Sequence, residues 1–167
     1  MLSKVTIQID DFYTSPDVIS GLHQLIELVD VSISVFALPS SSEKEELSRQ
    51  RISSRIQYIG IHGWNHFVEG SFGYWEMRHL LETALSRHCF DRMITMPWNR
   101  MPKLGAIKAL AEKRFCLVTP YGWQRIIATV LGCNSIDLHS ILLHPSDLLD
   151  NSTVIETAIR LNKVMNK

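Results

Sequence analysis

The sequence predicts an α/β domain on a mainly parallel sheet, either open or curled into a partial barrel. Three observations predict it. Short runs rich in β-branched residues alternate with segments of helical period along the 167 residues. Six runs read as strands, and the chain falls short of the roughly 200 residues or more that an eightfold barrel needs. Polar, aromatic and imidazole residues collect where the runs end, which in parallel α/β folds is the ligand-binding side.

The elements follow in order. Residues 4–10 (KVTIQID) have a strand's period, and residues 16–29 read as a helix with Ser15 as N-cap and Pro16 in its first turn. A second strand spans 31–37 (VSISVFA). A short charged helix is expected at 43–50 (EKEELSRQ) and a third strand at 56–61. Residues 74–87 place Trp75, Leu80, Leu81, Ala84 and Leu85 at near-helical spacing. Strands at 92–96, 115–119 and 138–143 and helices at 103–114 and 152–165 complete the set. The Ser40-Ser41-Ser42 step reads as a loop, not a linker, so residues 1–167 are expected to form a single domain.

Composition excludes several function classes. Lys plus Arg and Asp plus Glu number 17 each, so no net charge draws the chain to nucleic acid or an anionic membrane. No apolar run approaches the ~20 residues of a membrane span. The start, Met1 to Asp10, lacks the basic and continuously apolar stretches of an export signal, which predicts a cytoplasmic protein. Cys89, Cys116 and Cys133 never pair as CxxC and read as buried thiols.

The strand ends carry the chemistry. The first ends in Asp10 and Asp11, which alternation should send to different sides, one to bind a cation and the other to stay free as a base. The plainer alternative is a strand exit with Asp11 capping a turn. His62 and His66 follow the third strand, four residues apart; alone they could be loop histidines beside a tryptophan. With Asp11 they make one carboxylate and two imidazoles, an open site suited to zinc, cobalt, nickel or iron. His144, before Pro145 at the last strand's exit, can act as a general acid or simply meet solvent. His139 reads as a core or supporting residue, and His23, His79 and His88 as structural. Trp98 and Trp123 could stack on a sugar ring or pack under a lid.

The segments Ile9-Asp10-Asp11-Phe12, His62-Gly63-Trp64-Asn65-His66 and Ile141-Leu142-Leu143-His144 occur in the order and rough spacing of the polysaccharide deacetylase motifs. The chain resembles that family, the NodB-like carbohydrate esterases, from residue 6 to 145. The resemblance implies a distorted, incomplete (β/α) barrel and a metal-dependent hydrolase that removes N-acetyl or O-acetyl groups. It further implies that Asp11, His62 and His66 hold one divalent transition metal, with zinc expected. Asp10 would be the general base, His144 the acid that protonates the leaving amine, and Leu142 a wall of the acetyl pocket. On such a substrate, Trp98 and Trp123 are the candidates to stack on the sugar, with lid packing as their alternative. The partner implied is an N-acetylated sugar or glycan intermediate, without nucleic acid or a membrane span; an oligomer is compatible.

Two supporting motifs depart from the family pattern. Thr95-Met96-Pro97-Trp98 lacks the arginine that steadies the base, and Arg100 is the nearest candidate substitute. Thr119-Pro120-Tyr121-Gly122-Trp123 lacks the acidic partner of the acid histidine, for which Asp137 and Asp147 are candidates. Loss of such support typically costs ~10–100-fold in affinity or activity. The alternative function is therefore a weakened, metal-containing protein of the same fold that binds a glycan or a partner.

Overall fold

The computed structural model describes residues 5–39, 55–63, 71–87, 90–138 and 140–165, with side chains through residue 163. Seven parallel strands form one sheet in the order β6-β5-β4-β3-β2-β1-β7. They are β1 (Thr6–Phe12), β2 (Ser32–Ala37), β3 (Ile56–His62), β4 (Met93–Thr95), β5 (Cys116–Val118), β6 (Asn134–Ile136) and β7 (Ser140–Leu143). The sheet curls into a half-barrel and leaves β6 and β7 as edges, so the incomplete barrel expected from the sequence is present.

Period-2 alternation separates two faces. Ile7, Ile9, Ile33, Val35, Ile59, Ile61, Ile94 and Leu117 are fully or almost fully buried in the large core on the helix side. The residues between them, Gln8, Asp10, Ser34, Phe36, His62, Thr95 and Val118, belong to the concave inner face, where Phe36, Met93 and Val118 form a small apolar cluster. Nearly all the apolar burial that stabilises the sheet therefore lies outside the barrel. The inner face is free to carry polar groups.

The helices pack by periodicity. α1 (Pro16–Leu28) has the expected cap, the Ser15 side chain accepting from Val18 N at 3.3 Å. It turns Val18, Leu22, Leu25 and Ile26 inward. Arg55 closes its other end by donating to the carbonyls of Ile26 and Val29 at 2.6 and 2.9 Å. α2 (Tyr74–Arg87) buries Met77, Leu80, Leu81 and Ala84, and α3 (Leu104–Glu112) buries Ala106, Ile107, Ala109 and Leu110. α4 (Gly122–Val130), α5 (Pro145–Leu149) and α6 (Asn151–Met165) complete the layer. No helix among the described residues is long and apolar enough to cross a membrane. Cys116 and Cys133 are free, and burial raises both thiol pKa values, that of Cys133 to about 11.

Besides the five-residue α5, which the sequence reading did not include, three sequence expectations need correction or limits. β6 was not expected: its three residues, Asn134, Ser135 and Ile136, are too short and too polar to show a period. α4 was not expected either, because a glutamine is buried in it and several large apolar residues are exposed. Gln124 and Ala128 face inward, while Trp123, Ile126 and Val130 are exposed. The helix expected at 43–50, together with His88, Cys89 and His139, lies outside the described residues.

Gly21 stands at a close contact between α1 and α5. A Cβ there would fall 2.0 Å from the carbonyl oxygen of Leu148 in α5. Gly21→Ala is expected to lower unfolding free energy by about 1–3 kcal/mol in a urea titration. A variant as stable as wild type would show that α1 and α5 do not pack this closely.

Candidate active site

The first strand departs from simple alternation where it matters most. Between Ile9 and Phe12, β1 advances three residues while β2 advances two, from Val35 to Ala37. This is a β-bulge, and Asp11 within it has φ 54°. The left-handed conformation is tolerated better by Asp than by bulky residues. The bulge returns Phe12 to the helix-side core, where it is fully buried.

Both carboxylates consequently stand beside His62, correcting the expectation that they point to different sides. Asp10 Oδ2 is 3.6 Å from His62 Nδ1, and Asp11 Oδ1 is 3.6 Å from Nε2. Register explains the imidazole's orientation. His62 pairs with Thr95 across β3 and β4, and Thr95 Oγ1 lies 2.6 Å from Nδ1. That hydroxyl fixes one ring nitrogen and leaves the other directed toward Asp11.

Asp10 is buried with 5% of its surface exposed. Gln8, two residues earlier on the same inner face, donates from Nε2 to Asp10 Oδ1 at 2.9 Å. Burial disfavours the charged form and lifts the Asp10 pKa to about 7. The neighbouring Asp11 charge adds to the rise, and hydrogen bonds from Gln8 and Thr95 oppose it. A carboxyl poised near neutrality accepts and releases protons under ordinary conditions.

β7 delivers His144 beside this group. Ile9 pairs with Leu143, so Asp10 and His144 are the next residues on adjacent parallel strands. His144 is half-exposed at the N-terminal end of α5. Asp147 lies 3.9 Å from His144 Nδ1 and accepts from its backbone N–H at 2.7 Å. Of the two candidate acidic partners, Asp147 is at the histidine. Asp137 instead accepts from Arg125 Nη1 at 3.0 Å.

Trp98 has φ 54° and is 59% exposed after β4, and the Arg100 guanidinium carbon lies 4.9 Å from its ring centroid. Gln8 and Thr95 hydrogen-bond Asp10, whereas the Arg100 guanidinium lies over the Trp98 ring. Trp123 is 54% exposed in the first turn of α4, near-parallel to the Tyr121 ring at 6.5 Å. Leu142 pairs with Gln8 across β7 and β1. His66 lies outside the described residues, and among those described no three His, Cys, Asp or Glu side chains gather as a metal-holding group. His23 and His79 are exposed on α1 and α2.

Sequence reasoning missed Gln8 and Thr95. Each is an ordinary polar residue in a strand, and the signal lay in parity: Gln8 shares the face of Asp10, and Thr95 is the register partner of His62.

The sequence matches no protein-family model, and no curated protein matches it. Solved structures do share the fold. A family 4 carbohydrate esterase from Streptomyces lividans, in complex with acetate, is 13% identical with a TM-score of 0.63, covering 99% of this chain and 88% of that one. A peptidoglycan N-acetylglucosamine deacetylase is 18% identical with a TM-score of 0.63, covering 96% and 82%. A deacetylase with substrate is 14% identical with a TM-score of 0.62, covering 98% and 85%. At these identities the likeness establishes a common fold.

The raised Asp10 pKa fixes a stability trend. From about pH 4 to about pH 7 the unfolded chain gives up this proton while the folded chain keeps it, so the carboxyl's contribution to stability falls as pH rises and then levels off. In the presence of chelator, Asp10→Asn is expected to melt several degrees above wild type at pH 8 and no higher at pH 4. Equal melting temperatures at both pH values would contradict a buried, proton-retaining carboxyl.

Proposed function

We propose that the chain is a divergent polysaccharide deacetylase that hydrolyses the N-acyl bond of an acetylated sugar or glycan intermediate. The observation that carries this reading is the juxtaposition of Asp10, Asp11 and His62 on one inner face, with His144 on the adjoining strand end. The shared fold with carbohydrate esterases and deacetylases supports it.

The donor set fits a divalent transition metal. Asp11 offers a carboxylate and His62 an imidazole nitrogen within 3.6 Å of it, and the His62 ring is oriented by Thr95. Asp11, His62 and His66 would hold the ion, with zinc proposed. When bound, such an ion polarises the acyl carbonyl and lowers the pKa of water toward neutrality. Asp10 accepts the proton of the attacking water, and its orientation is set by the Gln8 amide. The acyl carbon gains the water oxygen and the C–N bond breaks. His144, as imidazolium beside Asp147, gives its proton to the departing nitrogen. The products are a carboxylic acid and a free amine. The exposed faces of Trp98 and Trp123 are suited to sugar C–H surfaces at the rim.

Purified protein is expected to retain about one equivalent of metal, reduced in His62→Ala. The protein should release acetate from N-acetylated sugars when loaded with zinc or cobalt. Asp10→Asn and His144→Ala are each expected to lower kcat by ~10²–10⁴-fold. Metal and sugar binding without turnover, in wild type as in both variants, would replace the enzyme reading with the binding-protein alternative.

Gln8→Met keeps the side chain's length and removes its donor to Asp10. It is expected to lower kcat more than it raises KM, with metal content unchanged. Unchanged kcat would show that the amide does not set the carboxylate's orientation.

A further inference from the structure

An open cavity of about 220 Å³ lies on the inner side of the sheet, lined in part by Gln8, Asn99, Val118, Leu138, Ser140 and Leu142. Its walls come from β1, β5 and β7 and from the segments that follow β5 and β6, of which Leu138 reaches across to β1 by accepting from the Thr6 hydroxyl at 2.7 Å. Parallel register places it relative to the chemistry. Gln8 pairs with Leu142, both residues line the cavity, and Asp10 and His144 stand two residues further along these same strands. The cavity therefore opens beneath the base and the acid, further into the barrel.

A carbonyl positioned between Asp10 and His144 has two substituents. The sugar side, bulky and continuous with a glycan, is accommodated at the solvent-facing rim with Trp98 and Trp123. On the acyl side, the nearest inner-face residues of the same two strands are Gln8 and Leu142, and both line the cavity. An acetyl group has one methyl beyond its carbonyl, whereas about 220 Å³ corresponds to about seven water volumes. The walls are mixed. Val118, Leu138 and Leu142 are apolar, while Ser140 donates to Gln8 Oε1 at 3.3 Å and Asn99 stands at the rim side. Such a lining accepts a short carbon chain and leaves hydrogen-bonding partners for an oxygen on it.

We propose that this cavity is the acyl subsite, and that the preferred substrates carry a short hydroxylated acyl group of roughly four carbons in place of acetyl. The inference rests on the deacylase reading of the same site. The reaction is the same hydrolysis: water supplies the oxygen gained by the acyl carbon, the C–N bond breaks, and a hydroxyacid and a free amine leave.

The test compares kcat/KM of the zinc-loaded full chain for N-(3-hydroxybutyryl)glucosamine and N-acetylglucosamine, read as free amine. The hydroxybutyryl substrate is expected to be faster by about tenfold or more, since each methylene that fills a pocket is worth at least that in discrimination. Val118→Phe and, separately, Leu138→Phe fill the cavity, and each is expected to lower that ratio about tenfold. A binding readout is independent of turnover. In chelator-treated protein, 3-hydroxybutyrate should raise the melting temperature more than acetate does at equal concentration. Faster hydrolysis of the acetyl substrate, an unchanged ratio in a folded filling variant, or equal thermal shifts would overturn the inference. Acetate release without hydroxybutyrate release overturns this inference alone; no release from either substrate overturns the deacylase reading and this inference with it.

Discussion

The site depends on one parity constraint in β1. Ile7, Ile9 and Phe12 all belong to the helix-side core and are fully buried. Two of them are an even number of residues apart and the third is not, so a regular strand cannot satisfy all three. Burying a phenylalanine fully is worth about 1.5–3 kcal/mol, and the bulge at Asp11 is the local adjustment that secures it. The extra residue leaves both carboxylates together on the inner side. Hydrophobic burial thus brings together two groups whose charges repel. Burial answers that repulsion by raising the Asp10 pKa to about 7, and His62 lies between the two carboxylates.

Packing outside the barrel reaches the same site through a second route. The close approach of Gly21 to Leu148 anchors α5, and α5 begins immediately after His144. The acid is thereby placed by a helix contact and by the pairing of β7 with β1, while the base is placed by β1 itself. Thr95 and Gln8 add the final orientation from neighbouring inner-face positions. Each reactive group rests on a strand end whose other side is apolar core. That arrangement gives rigid placement without requiring apolar burial at the site.

Much of this was legible in the sequence where chemistry and period coincide. Helices 16–28 and 74–87 and most strands show their buried stripe or alternation, and the Asp10-Asp11, His62 and His144 positions fall at strand ends. The bulge was not legible, because alternation alone predicts that successive carboxylates diverge. α4 was hidden by a buried Gln124, which accepts from the Thr119 hydroxyl and donates to the Asn99 carbonyl at 2.9 Å. Its core contact is shared between Gln124 and the small Ala128, and large apolar residues are exposed, so no clear buried stripe shows in the sequence. Arg100 illustrates the limit of proximity in sequence: the left-handed backbone at Trp98 and Asn99 turns the chain, and the guanidinium lies over the indole.

The placement of the cavity walls has an evolutionary consequence. Segments 119–120 and 137–138 border the cavity and lie just past the last ladder pair of β5 and β6, Val118 with Ile136. Substitutions there change the shape of the cavity while the helix-side core, built on β1 to β5, keeps its contacts. Walls within the sheet would couple every such change to the strand ladders. Walls that lie past the strand ladders therefore give the chain room for substrate preference to drift while the reactive groups on β1, β3 and β7 stay where the core holds them.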